Sequence, residues 1–359
     1  MSAPDLTAAQ VRAFRIRMQQ LDRDDGTLAD TAALAIGIQD TGPDGARWAL
    51  ANRGVGEVDP GELVLLWTVR GAPHCYRRAD LPQVLAAAAP YSEADAAKRI
   101  YDAAKPLKAA GIPVLEALDV LAGELRVLVP DRLVKGDLSG AVSARLPAAY
   151  VRECVPCGRV VHVWEMPFRL GATRAGLQLE PGTSPPVLRR LPDLVPVQDE
   201  GFDLVRLALR LLGPTTPKLV AGYLEAPVGD VQRRWPKDVV DVRVGGEPRH
   251  VLARDADALN AGPASGTRLL GPFDLFLQAR DRMLLVEDAA RAKQVWPVLG
   301  RPGVVLADGA VAGTWRPRKA GKGLTVAVDL WQPVTGVEEQ AERLAAVRGV
   351  RLLGVEAQR

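Results

Sequence analysis

Gln39, Asp40 and Thr41 are the residues whose types and spacing best fit chemistry on a bound water molecule. A glutamine amide can accept a hydrogen bond and donate one, and a carboxylate can polarise water or stabilise a developing cation. The triplet follows the mainly apolar residues 34–38 and precedes Gly42-Pro43, a pair that stops a helix. Two interpretations are open at this point: the lip of a pocket, or polar residues in the last turn of a helix.

The composition is that of a globular protein of about two to three domains, with 359 residues, 48% apolar and 25% charged. No apolar run reaches ~18 residues, and no secretory signal opens the chain, so no membrane association is expected. Three cysteines make no disulfide framework, which favours a reduced cytoplasm. A net charge of +3 is low for a protein that coats nucleic acid, although cations can still cluster on one face.

The N-terminal region predicts three helices followed by a β-hairpin. Thr7 and Gln10 have the spacing of a capping box, which opens the first helix. The elements expected after it are helices over residues 28–38 and 46–52, a strand over residues 63–69, and a strand through Cys75 and Tyr76.

The same order is clearest near residues 203–252. A helix over 203–212 precedes a second one that Thr216-Pro217 opens and that ends near residue 224. A third segment over 228–235 leads to a hairpin, with strands over 239–244 and 249–252 and a Gly245-Gly246 turn. This order is typical of a winged helix-turn-helix.

The remaining regions complete the predicted architecture. Residues 92–110 and 113–122 are expected to be helical, residues 160–164 a strand, and the proline-rich residues 170–199 a linker or long loop. Strands over 304–307, 309–315 and 324–330 and a helix over 337–348 predict a small β-rich domain. The predicted fold is α+β: three tandem winged helix-turn-helix units (residues 1–90, 91–200 with a linker, and 201–262) and a C-terminal β-rich, barrel-like domain (263–359).

Cations on two predicted elements are candidates for DNA contact. In a winged helix the second helix of the motif enters the major groove. The candidates on that helix and its wing are Arg233, Arg234 and Arg249, and those on the turn between the last two strands are Arg316, Arg318, Lys319 and Lys322. Winged helices also serve as protein-interaction modules, and the cationic turn could be a solvated turn, so both alternatives stay open.

A metal site is not expected. Cys154 and Cys157 form a single CxxC, and a zinc site would need two further ligands. His74 and Cys75 lie in a different predicted unit, and His74 is expected to be a hydrogen-bonded histidine of the first wing rather than an acid or base. No nucleophile triad, Walker loop or GxGxxG motif is present, so no cofactor is expected.

Several ordered segments together resemble the AlkZ-like DNA glycosylases, also described as winged-helix DNA-binding-domain proteins. The segments are Arg70-Gly71 with His74, Gly213-Pro214-Thr215-Thr216, Leu269-Leu270-Gly271-Pro272-Phe273-Asp274, and Asp308-Gly309 with Gly313 and Trp315. Their order spans most of the chain, and the resemblance is poorest between about residues 125 and 200.

The resemblance implies a site and an activity. The family's site is a Gln-x-Gln or Gln-x-Asp motif after the second helix. Gln39 matches its first position, Thr41 stands where glutamine or aspartate is usual, and the carboxylate lies at Asp40. The implied activity is a monofunctional DNA glycosylase, needing no metal or cofactor, that releases bulky N7-alkylated purines.

The resemblance also implies a setting for that activity. The implied partner is double-stranded DNA carrying adducts of an alkylating natural product, held in a concave basic channel, as in antibiotic self-resistance. A monomer in the cytoplasm, at the nucleoid when bound to DNA, is expected. The alternative is a non-catalytic winged-helix protein that binds DNA, a lesion or a drug.

Overall fold

The computed structural model describes residues 3–42, 44–155, 158–260, 262–320 and 323–357, without the side chains of residues 159–161, 319 and 320. The chain divides into two compact units. The first unit comprises Met1–Val58, Val205–Tyr223 and Pro236–Arg359, and the second comprises Asp59–Leu204 and Leu224–Trp235.

The α-helices are numbered in chain order. They are α1 (Ala8–Met18), α2 (Ala33–Ile36), α3 (Gly45–Ala51), α4 (Leu81–Ala88), α5 (Glu93–Arg99), α6 (Ala104–Ala109), α7 (Val114–Leu128), α8 (Lys135–Ser143), α9 (Glu165–Arg174), α10 (Leu204–Leu212), α11 (Pro217–Leu224), α12 (Val228–Arg233), α13 (Ala289–Val295) and α14 (Val337–Arg348).

The strands follow the same numbering along the chain. They are β1 (Asp5–Leu6), β2 (Ile38–Gln39), β3 (Leu63–Trp67), β4 (Pro73–Arg77), β5 (Arg132–Val134), β6 (Val151–Cys154), β7 (Arg159–Val163), β8 (Leu177–Leu179), β9 (Val187–Arg190), β10 (Val239–Val244), β11 (Glu247–Leu252), β12 (Thr267–Leu270), β13 (Gly303–Ala307), β14 (Ala310–Ala320), β15 (Gly323–Leu330) and β16 (Arg351–Ala357).

The first helix begins where the capping box predicts. The Thr7 side chain accepts from the Gln10 main chain, and the Gln10 side chain accepts from the Thr7 main chain. Val11 and Phe14 of α1 are buried against the hairpin β10–β11. The buried Arg15 side chain on the same helix donates to Asp281 at 2.7 Å. The helix is therefore fixed by an apolar face and by an internal ion pair.

The predicted helix over residues 28–38 is wrong in its extent. Only α2 is helical, because the Gln20 side chain takes the main-chain N–H of Ala32 at 2.8 Å and so replaces a helical acceptor. The chain then leaves the helix at Gly37, whose φ of 94° suits glycine and not a larger residue. Consequently Ile38 and Gln39 form the short strand β2, and the site triplet does not occupy a helix C-terminus.

The hairpin β10–β11 agrees with its prediction. Gly245 and Gly246 form its turn with φ values of 57° and 81°, which are the positive angles that a tight two-residue turn needs. β1 adds to this hairpin in parallel with β10. Before it, the Thr216 hydroxyl caps α11 at the main chain of Leu219, as the Thr-Pro pair predicts.

The C-terminal part of the first unit is β-rich, as predicted. Five strands run in the order β12-β13-β14-β15-β16, with β16 parallel to β15 after the crossover helix α14. Trp48 from α3 and Trp315 from β14 belong to one buried core with residues of α14. The helix bounds agree with the predicted residues 337–348. This core joins the element that follows the site triplet to the C-terminal sheet.

The second unit corrects the predicted linker or long loop over residues 170–199 as far as residue 190, whereas residues 191–199 form no helix or strand, in agreement with the prediction. This segment contains the end of α9 and the strands β8 and β9, which pair with each other and with β3 and β5 respectively. Three of the five prolines in this segment, at residues 181, 185 and 186, lie in the turn between β8 and β9 and leave the ladder intact, and the other two, at residues 192 and 196, follow β9. The predicted hairpin β3–β4 is confirmed.

Candidate active site

Gln39 lies in β2 with its side chain oriented by Thr41. The Gln39 Nε2 donates to the Thr41 Oγ1 at 3.0 Å, and both side chains are half-buried. Since the amide nitrogen is directed to the hydroxyl, the carbonyl oxygen lies at the other end of the same planar group. Thr41 therefore fixes the orientation of the Gln39 amide, a role that the sequence did not reveal.

Asp40 supports the start of α3. Its Oδ1 accepts the main-chain N–H of Ala46 at 2.8 Å. Asp44 occupies the N-cap position but makes no capping hydrogen bond, because its carboxylate pairs with Arg348 of α14 at 2.6 Å. Asp40 thus supplies from outside the helix the acceptor that a capping side chain would supply.

A glycine permits this approach of Asp40 to the helix. A Cβ added to Gly45 would lie 3.1 Å from the Asp40 Cα and 3.1 Å from the Gln39 oxygen of the main chain, which is tighter than ordinary contact. The burial of Asp40 at this position also changes the pKa of its carboxyl group. Burial raises the pKa of the Asp40 carboxyl, the Ala46 N–H opposes the rise, and the negative charge of Asp44 adds to it.

The segment combines an oriented amide at Gln39 with a carboxylate of raised pKa at Asp40, the next residue of the chain. The amide oxygen can accept a proton of a water molecule, and the amide nitrogen and the Thr41 hydroxyl can form hydrogen bonds with a bound polar group. A carboxylate whose pKa is raised toward neutrality is a better general base while it stays ionised. These residues can therefore orient and activate water without a metal ion.

The candidate DNA-binding cations of the first unit differ in availability. Arg249 is largely buried and donates to Asp281 at 2.5 Å. Arg316 donates to the main-chain oxygen of Gly300 at 2.6 Å. Arg318 is half-exposed and lies 3.9 Å from Glu356, so its guanidinium is the more accessible. The side chain of Lys319 and all of Lys322 lie outside the described residues.

Two candidates lie in the second unit. Arg233 at the end of α12 is 70% exposed and pairs with Asp230. Arg234 is half-exposed, lies 4.4 Å from the ring centre of Tyr91 and is 3.4 Å from Asp203. An exposed guanidinium that pairs with one carboxylate keeps further N–H donors for a phosphate.

Histidine and cysteine residues of the predicted wing have structural surroundings. His74 is buried, its Nδ1 lies 2.9 Å from the Ala72 oxygen, and burial together with the charge of Arg70 lowers its pKa to about 3. It is a neutral structural histidine, as predicted. Cys75 is buried, and Cys157 of the CxxC lies outside the described residues.

Metal clusters and membrane spans are both missing from the described part of the chain. Within those residues, no group of three or more His, Cys, Asp or Glu side chains could hold a metal ion. In the same part of the chain, no helix combines the length and apolarity that crossing a bilayer requires.

Motif residues that the sequence singled out pack against α3, the helix that follows the triplet. The buried Asp274 receives two hydrogen bonds from the buried Arg53, at 2.9 and 3.0 Å. Trp315 donates to the Leu270 oxygen at 2.9 Å, and Trp48 donates to the Leu269 oxygen at 2.5 Å. The motif from Leu269 to Asp274 therefore holds α3 and the C-terminal sheet together, and Trp48 belongs to the core.

Comparisons with known proteins agree with this architecture. A family described as DNA glycosylase AlkZ-like matches residues 31–348. The structure is similar to that of the Streptomyces sahachiroi DNA glycosylase AlkZ, with a TM-score of 0.72 and 20% identity, over 99% of this chain and 100% of that chain. No curated protein sequence matches the chain. Since the family match spans most of its length, the chain belongs to the AlkZ-like DNA glycosylase family.

Proposed function

We propose that this chain is a monofunctional DNA glycosylase that hydrolyses the N-glycosidic bond of bulky N7-alkylated purines. The observation that carries the proposal is the Gln39 amide oriented by Thr41, next in the chain to the half-buried Asp40 carboxylate, in a chain of a DNA glycosylase family. Release of such adducts would repair DNA after attack by an alkylating natural product and would protect a producing organism.

The proposed substrate needs little assistance at its leaving group. An N7-alkylated purine is cationic, so its ring accepts the electron pair of the breaking C–N bond without prior protonation. The oxygen of a water molecule bonds to the anomeric carbon, which develops oxocarbenium character as in glycoside hydrolysis. The enzyme must therefore position water, stabilise the cationic sugar and accept a proton.

Each residue of the triplet has a proposed role. Gln39 accepts from the water through its amide oxygen and holds it near the anomeric carbon. Asp40 stabilises the positive charge of the sugar and accepts the water proton, which its raised pKa favours. Thr41 is a positioning residue, because it acts through the hydrogen bond from Gln39.

DNA binding would use the accessible cations. Arg318 and Arg233 are exposed enough to contact phosphates, whereas Arg249 is engaged inside the first unit. The order α10, α11, α12 and hairpin β10–β11 supports a winged-helix organisation, which we propose for three tandem units before the C-terminal β-rich domain. The protein would act as a monomer on duplex DNA.

One experiment tests this function. Duplex DNA carrying either a bulky intercalating N7-guanine adduct or small methylated purines is incubated with the protein, and the freed base and the abasic sites are both quantified. We expect release of the bulky adduct in equal amount to abasic sites. Release restricted to small methylpurines would contradict the proposed substrate class.

A non-catalytic lesion-binding protein is the second candidate. It is favoured by one observation: Asp40 and Thr41 both have structural partners, in Ala46 and Gln39 respectively. It predicts affinity for adducted DNA with no protein-dependent abasic sites. The same assay therefore separates the two functions.

A further inference from the structure

The segment between α13 and β13 presents an apolar tip to solvent. Val298 is 100% exposed and Leu299 is 85% exposed, whereas Trp296 before them and Pro302 after them are buried. We name residues 297–301 the tip loop. A branched apolar side chain that is wholly hydrated forgoes the stabilisation that burial would give. Two such neighbours at one tip indicate a surface that is covered when a partner binds.

The tip loop is held at both ends. Trp296 Nε1 donates to the Leu277 oxygen at 3.3 Å, and Arg316 of β14 donates to the Gly300 oxygen at 2.6 Å. The Arg301 guanidinium lies 5.2 Å from the ring centre of Phe273. Since the base of the loop is fixed, little conformational entropy is lost when the tip is buried.

The charged residues nearest to the apolar tip in the sequence are cationic. Lys293 is the nearest before Val298 and Arg301 the nearest after Leu299, whereas the acidic Asp288 and Asp308 lie farther away on either side. An apolar tip flanked by cations matches a polyanion with an apolar interior. Duplex DNA has this construction, with phosphates outside and stacked bases inside.

We propose that Val298 and Leu299 form a wedge that enters a base step of duplex DNA and unstacks it. The inference rests on the proposed function, which supplies duplex DNA as partner, and it assigns a role that Gln39 and Asp40 do not have. Inserted apolar side chains open base steps in proteins that bend DNA. Opening a step beside the adduct would expose the sugar to the attacking water. Arg316 would position the wedge through Gly300.

A lipid surface is the other polyanion with an apolar interior. Interfacial membrane binding by a protein segment uses the whole apolar face of an amphipathic helix. The tip loop offers two adjacent side chains instead. This shape favours insertion between bases.

The test uses the full-length protein and a set of short duplexes that contain a tetrahydrofuran abasic analogue. The 2-aminopurine lies beside the analogue in the first duplex and is moved one base step farther away in each of the others. 2-Aminopurine brightens when it loses stacking. We expect wild type to raise its emission at one step. The double variant Val298→Ser, Leu299→Ser should abolish the rise and weaken duplex binding ~10-fold, with the salt dependence unchanged. Both positions are exposed, so folding should be preserved.

Val155→Ser is the matched control, because Val155 is 92% exposed and lies in the second unit. It should behave as wild type. An equal emission rise from wild type and from the double variant would overturn the wedge, as would binding to anionic vesicles that requires the tip without any emission change. The probe duplex has no base to release. The 2-aminopurine duplex therefore tests only the insertion of Val298 and Leu299. The proposed glycosylase function is tested separately, by release of the base from adducted DNA.

Discussion

The Asp40 carboxylate accepts the main-chain N–H of Ala46 at 2.8 Å, so a carboxylate of the proposed site also holds the start of α3. The oxygen of the Asp40 side chain therefore stabilises the start of α3, and the negative charge of the carboxylate serves the proposed reaction. Substitutions of Asp40 can separate the effect on stability from the effect on the reaction rate.

Asp40→Asn should remove activity while preserving the fold. An asparagine oxygen can still accept from Ala46, and asparagine caps helices about as well as aspartate. We expect base release to slow by about 10²–10⁴-fold, the usual contribution of a general base. Single-turnover kinetics and thermal unfolding should be measured together.

Asp40→Ala is the matched comparison, because it removes the acceptor as well as the charge. It should lower the free energy of unfolding by about 0.5–2 kcal/mol, as the loss of a capping side chain does. If Asp40→Asn retained the wild-type rate, Asp40 would be a structural residue only.

Thr41→Val should release the Gln39 amide from its fixed orientation. The valine has the shape of threonine but cannot accept from Gln39 Nε2. We expect kcat to fall about 10-fold, the equivalent of roughly 1.4 kcal/mol for one hydrogen bond, with little change in KM. Thr41→Ser keeps the hydroxyl and should keep the rate. If Thr41→Ser lost as much rate as Thr41→Val, the Thr41 hydroxyl would not be what orients the Gln39 amide.

The rate of base release should rise with pH through the pKa of Asp40. The ionised carboxylate is the active form, and burial places its pKa above the usual 3.8, so activity is lost as the pH falls through that raised value. Asp44→Asn removes a negative neighbour and should move the midpoint to lower pH. The exposed Asp257→Asn removes an equal charge elsewhere in the first unit and should leave the midpoint unchanged. A profile for Asp44→Asn that moved upward would refute this electrostatic assignment.

The sequence predicted elements whose signals are local. The capping box at Thr7, the Gly245-Gly246 turn and the helix over residues 337–348 each depend on neighbours a few residues apart, and all were confirmed. The part of residues 170–199 that lies before residue 191 was mispredicted because β8 and β9 are short. Their pairing with β3 and β5 is a long-range property that a proline-rich composition conceals.

At the candidate site, too, local sequence patterns did not reveal the backbone conformation or the long-range contacts. The sequence placed Gln39, Asp40 and Thr41 together but assigned them to a helix end, because the positive φ of Gly37, at which the chain leaves α2, cannot be read from the residue types alone. The capping contact from Asp40 to Ala46 could have been suspected from Gly45, where any side chain would crowd Asp40. The pairing of Asp44 with Arg348 brings together distant parts of the chain and left no sequence signal.

Arg318→Ala and Arg249→Ala should have different effects. Arg318 is accessible, so its loss should weaken binding to any duplex and reduce the slope of log affinity against log salt by about 1. Arg249 is paired with Asp281 inside the first unit, so its loss should lower the melting temperature instead. Fluorescence anisotropy over a salt series and thermal unfolding test both. An unchanged salt slope in Arg318→Ala would remove it from the DNA contacts.

Asp274→Ala should destabilise the first unit. It leaves the buried Arg53 guanidinium without its carboxylate, and breaking a buried pair typically costs about 3–5 kcal/mol. Asp102→Ala is the control, because its pair with Lys105 is fully exposed and should leave the melting temperature unchanged. Equal melting temperatures for Asp274→Ala and wild type would show that the pair does not stabilise the fold.

The central claim is that Gln39 positions the attacking water, and single-turnover base release by wild type and Gln39→Ala tests it most directly. The substrate is a duplex carrying one bulky N7-guanine adduct, and abasic sites are measured with protein in excess over DNA. We expect wild type to form abasic sites and Gln39→Ala to do so about 10²–10⁴-fold more slowly while binding the duplex with unchanged affinity. Equal rates for the two proteins would contradict the assignment.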